Sequence, residues 1–381
     1  MKSIAVIGIG SAGLQTLCHL CTWLDNQWKI TSISDPTIPP IAIGESTSPP
    51  FLQSLHLGID FNIYDHLDAI KGTLKIGTVF KKWRPYHFIN PLIGGSLAIH
   101  IDSVILRQFV LPRLKKKWSR KLEIIQKKVT HLNDLDYDYI VDCRGFPKNL
   151  SDYIKPKGML LNHALVHNIK KRGTWNYTGH RATKNGWMFE IPLMERQSYG
   201  YLFCDQLTSQ KEALEDFSKE IDVPIDELDN IEHTFVPAYA KKVLEGRIFK
   251  NGNRALFFEP LSANSLFAYD TINRCIIDHL QVKNLNVDKV NRRYLDKIES
   301  IRDILYLYYH GGSIYDTPFW KKIKIKTKIE LNKSTGFKTV VRNFKYHNKL
   351  GTPYNTPLWG FDIPCLKAID EKLGYNYFHE L

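Results

Sequence analysis

Cysteine, long apolar runs and acidic charge are what this chain of 381 residues has little of. Six cysteines lie scattered at 18, 21, 143, 204, 275 and 365. Cys18 and Cys21 form a lone CxxC with no second pair or histidine cluster to complete a site, which argues against zinc and against a redox pair. Both fall on the core side of the first expected helix and read as buried thiols, so no metal is expected. No apolar run approaches the roughly 18 residues of a membrane helix. The N-terminus is strand and glycine turn rather than a charged-then-apolar leader. A cytoplasmic protein with no membrane partner is the expectation.

The shortage of acid is relative: 39 Asp and Glu face 52 Lys and Arg, leaving a net charge of +13. An excess of this size raises nucleic acid as a partner. Lys115, Lys116, Lys117, Arg120 and Lys121 cluster in an expected helix, whereas Lys321, Lys322, Lys324, Lys326 and Lys328 alternate with Ile323, Ile325 and Ile329. That second pattern has the two-residue period of a strand with one solvated face. No helix-turn-helix, zinc finger or RNA-binding motif accompanies the charge, so no nucleic acid is expected, and attraction of small anions explains the field more simply. Apolar residues make up 43% and charged residues 24%, the balance of a folded protein with a large core, here expected as two intimately packed lobes.

What is present begins at residue 4. An apolar strand, residues 4–7, runs into Gly8-Ile9-Gly10-Ser11-Ala12-Gly13. Glycines at this spacing let the backbone turn, approach a pyrophosphate and start a helix packed close to the sheet. Leu14, Leu17, Cys18, Cys21 and Leu24 then recur at helical spacing. A second strand, residues 30–34, ends on Asp35, placed to hydrogen-bond a ribose hydroxyl. The βαβ unit is complete and predicts dinucleotide binding, with FAD and NAD both open. A turn at 36–40 leads to Ile43-Gly44-Glu45-Ser46-Thr47-Ser48-Pro49-Pro50, a loop of small and hydroxylated residues.

A Gly-Glu-(Ser/Ala)-Thr-x-x-Pro loop after such a unit resembles the flavin-dependent halogenases of the tryptophan-halogenase superfamily. The segment from Thr73 to Trp83 is similar to that family's Thr-Phe-Lys-x-x-x-x-Phe-x-x-Trp, which implies that Lys75 is catalytic. Taken by itself, Lys75 reads as a surface lysine on a strand. His100-Ile101-Asp102 and the helix after it look like the segment beside the flavin, with Arg107 as a cofactor contact. Residues 123–125 suggest a strand and 127–129 a hairpin-like crossing, and Val129 joins the cofactor set. The strand at 138–143 ends on Gly145, similar to the second flavin signature of FAD monooxygenases, which favours FAD over NAD. Gly186-Trp187-Met188-Phe189-Glu190-Ile191-Pro192 matches the hallmark Trp-x-Trp-x-Ile-Pro, with Phe189 at the second tryptophan. In the family this motif shields the substrate from the flavin.

Glu259-Pro260-Leu261-Ser262-Ala263-Asn264-Ser265 is similar to the third flavin segment, (Asp/Glu)-Pro-Leu-Glu-Ser-Thr-Gly. Glu259 and Leu261 are cofactor contacts by this resemblance, together with Gly8, Gly10, Ser11, Ala12, Gly13, Asp35, Gly44, Glu45, Ser46 and Thr47. Ser262, Ala263, Asn264 and Ser265 form the halide or substrate loop. Two departures stand out: Ser262 occupies the place of the catalytic glutamate, and Asn264-Ser265 that of the Thr-Gly whose amides hold chloride. Residues 301–310 and 316–320 resemble the helical substrate module, with His310 read as a packed core residue. Residues 332–354 read as loop.

The fold implied is α/β, an FAD-binding Rossmann-like flavin-monooxygenase fold with an interleaved, mainly helical substrate module. The expected division is residues 1–50 and 91–284 for the FAD module, and 51–90 and 285–381 for the other. The resemblance implies that reduced FAD and oxygen convert chloride, bromide or iodide to hypohalous acid, which Lys75 passes to an aromatic substrate by hydrogen bonding or as a haloamine. No nicotinamide site beyond the single FAD fold is evident, so a separate flavin reductase is the expected partner. Without the glutamate, the substrate expected is an electron-rich, phenol-like ring or a broad aromatic set. The rival readings are a flavin-dependent hydroxylase on the same fold and a non-catalytic protein that kept the fold.

Overall fold

The computed structural model describes the chain apart from residues 39–43, 93–94, 172, 174–175, 230, 283–284, 353–362, 376 and 379–381. Of the expected turn at 36–40 and the loop that follows, residues 39–43 therefore lie outside the described residues, as does the end of the expected loop at 353–354.

The first strand, Lys2–Ile7, lies between Trp28–Ser34 and Tyr139–Asp142, parallel to both. Leu122–Gln126 extends this sheet beyond Trp28–Ser34, and Ile248–Lys250 and Leu244–Glu245 extend it on the other side, giving six strands. Ile4, Ala5, Val6, Ile30 and Ile140 are fully buried, as continuous apolar strands covered on both faces must be. The helix Ser11–Trp23 returns the chain between the first two strands. All ten of its residues from Ala12 to Cys21 are buried. Its apolar stripe is thus only part of the account: Gln15, Thr16 and His19 are also buried, because the helices Pro49–Ile59, Ser103–Lys117 and Asn264–Gln281 pack against it.

The expected hairpin-like crossing at 127–129 is instead the start of a crossover. Leu122–Gln126 and Tyr139–Asp142 sit on opposite sides of the first strand, and both run parallel to their neighbours. Parallel strands cannot be joined by a hairpin.

A seven-stranded sheet forms the second layer, in the order Ile231–Thr234, His163–Ile169, Gln197–Phe203, Gly186–Pro192, Tyr177–Thr183, Gly77–Lys81, Phe88–Pro91. Between the two sheets a small antiparallel sheet joins Gly44–Ser46, Ala98–Asp102 and Thr73–Lys75. His100 and Lys75 face one side of this connector and Glu45 the other. Residues 51–90 are shared among all of these layers, and one apolar core runs through the FAD-like sheet and the C-terminal helices alike.

Two C-terminal expectations need correction. Residues 321–329 are not a strand but part of the helix Pro318–Lys333, begun by Pro318 in its first turn. The Lys-Ile alternation mimics a strand, yet Phe319, Ile323, Thr327 and Leu331, four apart, are buried together with Trp320, while Ile325 and Ile329 point to solvent. Residues 335–349 are likewise helical rather than loop: Ser334 caps Thr335–Lys349, and Phe337, Val340 and Phe344 make its buried face. His310 is a core residue as read, stacked at 4.6 Å on Tyr375.

Candidate functional site: a glycine cradle and a buried lysine

Gly8 has φ +96°, and a Cβ there would lie 2.8 Å from the Cys143 carbonyl oxygen. A Cβ on Gly13 would lie 2.0 Å from the carbonyl oxygen of Gly8. These two glycines therefore allow the helix to press against the strand ends. Gly10 differs: its missing Cβ faces open space, with nothing within 4 Å. No side chain caps the helix that follows it. An open glycine before an uncapped helix start is a fitting place for a pyrophosphate, whose charge the free N–H groups and the helix dipole favour. Gly145, with φ +83°, is open in the same way. The residues present therefore fit a dinucleotide such as FAD.

The connector sheet brings Glu45 to this helix start. Ser11 Oγ donates to Glu45 Oε1 at 2.5 Å, and burial pushes the Glu45 carboxyl up to about 7, aided by the nearby Asp102 charge. Asp35 stands at the end of its strand, but one carboxylate oxygen already accepts from the N–H and the hydroxyl of Thr37, which holds its pKa down. Arg107 lies half-buried on Ser103–Lys117 with no ion pair among the described residues. Val129 packs under the sheet with Ala5, Ile7, Ile33 and Ile140, and its carbonyl accepts from Arg144.

Lys75 is not at the surface. It is 2% exposed, and its Nζ donates to the Thr47 carbonyl at 2.8 Å. No carboxylate pairs with it among the described residues, and desolvation brings its pKa down to about 7. It lines a cavity of about 280 Å³ together with Pro49, Thr78, Asn90, Phe267 and Ile304. Ser262, Ala263 and Asn264 form another part of the same wall. The Oδ1 atoms of Asn90 and Asn264 and the Ser48 hydroxyl, all in the lining, are buried without a hydrogen-bond partner. Such atoms suit a polar ligand group. A larger cavity of about 370 Å³, between Phe146, Tyr153, His163, Phe235 and Phe257, contains none of the residues expected to act.

The loop before helix Asn264–Gln281 is strained. Ser262 and Ala263 have φ +62° and +55°, consecutive left-handed positions without glycine. The helix start has no side-chain cap, since its cap residue is Ala263; Asn264 donates its Nδ2 protons to the carbonyls of Glu259 and Leu261. Glu259 is 2% exposed; it accepts from Tyr309 OH at 2.6 Å, and burial raises its carboxyl to about 7. Trp187 points its indole N–H towards this carboxyl without completing a hydrogen bond. The whole strand Gly186–Pro192 is buried, with Phe189 pressed over Gly200, where a Cβ would lie 2.0 Å from the ring.

Several residues of this region escaped the sequence. His180 Nε2 accepts the Ser262 N–H at 3.2 Å, which puts the ring proton on Nδ1; burial and the Lys75 charge hold its pKa down to about 3. His100 sits between Thr73 and Thr178. Because Thr73 Oγ1 gives its proton to the Pro192 carbonyl at 2.5 Å, His100 Nδ1 must donate to Thr73, and Nε2 accepts from Thr178, itself joined to Ser46 at 2.6 Å. Both imidazoles beside Lys75 are therefore neutral. Asn90 Nδ2 donates to Tyr308 OH at 2.9 Å, and Tyr308 approaches Ser262 Oγ at 3.5 Å. Asn90 and His180 belong to no motif, and His100 and Tyr308, although inside segments the sequence singled out, show no sign there of these contacts; only the fold brings the four together.

The family model described as tryptophan halogenase matches residues 3–133 and 124–355. The chain belongs to the tryptophan-halogenase family. It is an enzyme, a flavin-dependent halogenase, and FAD and halide use follow from that membership. Among curated relatives, tryptophan 7-halogenase RebH of Lentzea aerocolonigenes is 24% identical, with 100% of this chain and 86% of the relative covered. Tryptophan 6-halogenase ThaL of Streptomyces albogriseolus is 21% identical, with 94% and 84% covered. Among solved structures, a tryptophan halogenase from Shewanella frigidimarina superposes with a TM-score of 0.81 at 17% identity, covering 99% of this chain and 89% of that one. This likeness carries the fold: a mixed α/β halogenase with a Rossmann-like parallel sheet. No helix among the described residues is long and apolar enough to cross a membrane.

Proposed function

We propose that this halogenase oxidises a halide at its flavin and delivers the product, hypohalous acid, through the Lys75 cavity to an electron-rich aromatic ring. The observation that carries the reading is Lys75 itself, an ammonium with no counter-charge, buried at a cavity wall shared with residues 262–264. Reduced FAD, supplied by a separate reductase, provides the electrons that activate oxygen. The residues expected to hold FAD are Gly8, Gly10, Ser11, Ala12, Gly13, Asp35, Glu45 with its loop, Arg107, Val129, Gly145, Glu259 and Leu261. The uncapped amides from Asn264 onward offer donors to chloride, bromide or iodide. Lys75 then hydrogen-bonds the oxygen of the hypohalous acid and draws electron density from the halogen, so the ring carbon gains the halogen, its proton leaves, and water is released.

The buried strand with Trp187, Phe189, Ile191 and Pro192 separates the substrate from the flavin. Ser262 offers no carboxylate to take the ring proton or to stabilise a cationic intermediate. Two curated relatives are named for tryptophan; here the substitution at 262 favours rings activated by their own substituents, phenols before free tryptophan. The test is turnover of a phenol and of tryptophan with reduced FAD, oxygen and each halide in turn, for wild type and Lys75→Ala. The expected result is a halogen mass shift on the phenol that vanishes in the variant. An oxygen mass shift in its place, with FAD still bound, would move the hydroxylase reading to the front.

A further inference from the structure

The lining of the Lys75 cavity is chemically lopsided. Among the described residues Lys75 is its one charged side chain, with no carboxylate and no imidazole beside it in the wall. Much of the remaining surface is apolar, from Pro49, Phe267, Ile301, Ile304 and Leu305. Against this background stand the amides of Asn90 and Asn264, 7% and 6% exposed, and the hydroxyl of Ser48.

Both amides are held by their nitrogen. Asn264 Nδ2 donates to the Glu259 carbonyl at 2.6 Å and to the Leu261 carbonyl at 2.8 Å. Turning that amide over would set its oxygen against two carbonyl oxygens, so its orientation is fixed. Asn90 Nδ2 donates to Tyr308 OH at 2.9 Å, and the Tyr308 ring stacks on Phe80 at 5.0 Å. Each amide is thus left with its oxygen buried and without a hydrogen-bond partner among the described residues. An orphaned acceptor costs free energy that a donor on a ligand recovers. Hypohalous acid carries a single proton, so at least one of the two oxygens remains for the ring.

Charge acts in the same direction. An ammonium on the substrate would meet Lys75 and find no carboxylate in the described wall; a carboxylate would pair with Lys75 and occupy the nitrogen that halogen delivery needs. We propose that this cavity selects uncharged aromatic rings bearing hydroxyl or N–H donors, with Asn90 and Asn264 as the specificity-determining acceptors. This selection rests on the same cavity being the place where the ring is halogenated. Electron richness alone would admit aryl ethers as readily as phenols, whereas the orphaned oxygens favour only the rings that can donate.

The test separates donation from electron richness. Resorcinol and 1,3-dimethoxybenzene are both strongly activated rings, but only resorcinol has O–H groups. Binding is measured by calorimetry on the full chain with oxidised FAD and no halide, where nothing turns over, and halogenation separately with reduced FAD, oxygen and bromide. Resorcinol is expected to bind about tenfold more tightly than the diether, and the difference in turnover to lie mainly in KM. In Asn90→Leu, which removes one acceptor, that advantage should shrink to about threefold. A second pair, 4-ethylphenol and tyramine, differs by an ammonium, and 4-ethylphenol should bind about tenfold more tightly. Equal binding of resorcinol and its diether, a full preference retained in Asn90→Leu, or tyramine bound as well as 4-ethylphenol would each overturn the proposal, even if every ring is brominated. If Asn90→Leu does not hold FAD, the two ligand pairs on wild type decide. Selective binding of resorcinol and 4-ethylphenol without bromination would leave the selection standing and remove halogen delivery through this cavity.

Discussion

The glycine cradle and the lysine cavity lie at opposite ends of the connector sheet and are built on opposite principles. In the cradle, function is carried by backbone: glycines at 8 and 13 admit contacts that no side chain could, and the strand residues Ile4 to Ile7 that lead into them are apolar and buried. In the cavity, function is carried by side chains that folding disfavours. Lys75 and Glu259 are buried ionisable groups with pKa values driven towards 7 from opposite directions, and Ser262 and Ala263 hold left-handed backbone. The difference teaches where stability and activity conflict: changes in the cradle should cost both, and changes in the cavity should exchange one for the other.

The largest effect is expected in the cradle. Gly13→Ala places a methyl 2.0 Å from the Gly8 carbonyl oxygen, a backbone atom that cannot turn aside. A loss of about 3 kcal/mol or more in urea unfolding is expected, with loss of FAD binding. Gly10→Ala is the control, since its added methyl meets nothing within 4 Å. Its stability should change by less than about 0.5 kcal/mol, while FAD affinity, read by fluorescence quenching, should fall about tenfold. Equal destabilisation by the two substitutions would break the distinction between the packing glycines and the ligand-facing one.

In the cavity the sign should reverse. Lys75→Met keeps the stem and removes the ammonium, so activity disappears while stability rises by about 1–2 kcal/mol, after the cost of leaving the Thr47 carbonyl unpaired. The gain depends on pH. The lysine titrates near 7 in the native state and near its ordinary 10.5 when unfolded. Between those values the unfolded chain binds the extra proton, so wild-type stability rises with pH, and the advantage of methionine shrinks as pH climbs through that window. The two unfolding midpoints should therefore differ most below pH 7 and draw together as pH passes 9. A constant difference would mean that Lys75 is not desolvated.

The legibility of the two ends follows the same division. The cradle was readable because its spacing, Gly8 to Gly13 with Asp35 beyond, is local and each glycine answers a backbone need. The strand at 186–192 was readable for a similar reason. The electrostatic setting of the cavity was not: His100, His180, Asn90 and Tyr308 come from four separate elements, and no local spacing links them. Lys75 itself was recognisable only through resemblance, since three residues of strand give no sign of burial. The basic C-terminal helix misled for another reason. Its lysines and isoleucines satisfy a period of two by composition, while the period that packs, Phe319 to Ile323 to Thr327 to Leu331, includes a threonine that hydropathy alone does not mark as buried.

A smaller effect of opposite pH dependence is expected at Glu259. Its carboxyl titrates near 7 in the native state against an ordinary 4.5, so between those values the native state holds the extra proton and stability falls as pH rises. Glu259→Gln still accepts the Tyr309 hydroxyl and cannot ionise. The variant should match wild type near pH 4.5 and exceed it progressively as pH rises to 7 and above. Thermal midpoints across this range would show it. With Lys75→Met gaining at low pH and Glu259→Gln at high pH, the two unfolding profiles should cross.

The smallest effect separates backbone strain from side-chain cost. Ala263 has φ +55°, directly before helix Asn264–Gln281, and its methyl makes none of the hydrogen bonds of the loop. A left-handed alanine costs about 1–2 kcal/mol relative to glycine in the same conformation. Glycine returns roughly 0.4–1 kcal/mol of that through the greater freedom of the unfolded chain. Ala263→Gly should therefore stabilise by about 0.5 kcal/mol, the difference of two terms fixed by backbone alone and hence independent of pH. This independence is the discriminating feature, because the gains at Lys75 and Glu259 vanish at opposite ends of the pH range. If Ala263→Gly instead destabilises at every pH, the loop depends on the stiffness of alanine to hold the amides of Asn264 and Ser265 in place, and halogenation should weaken with it.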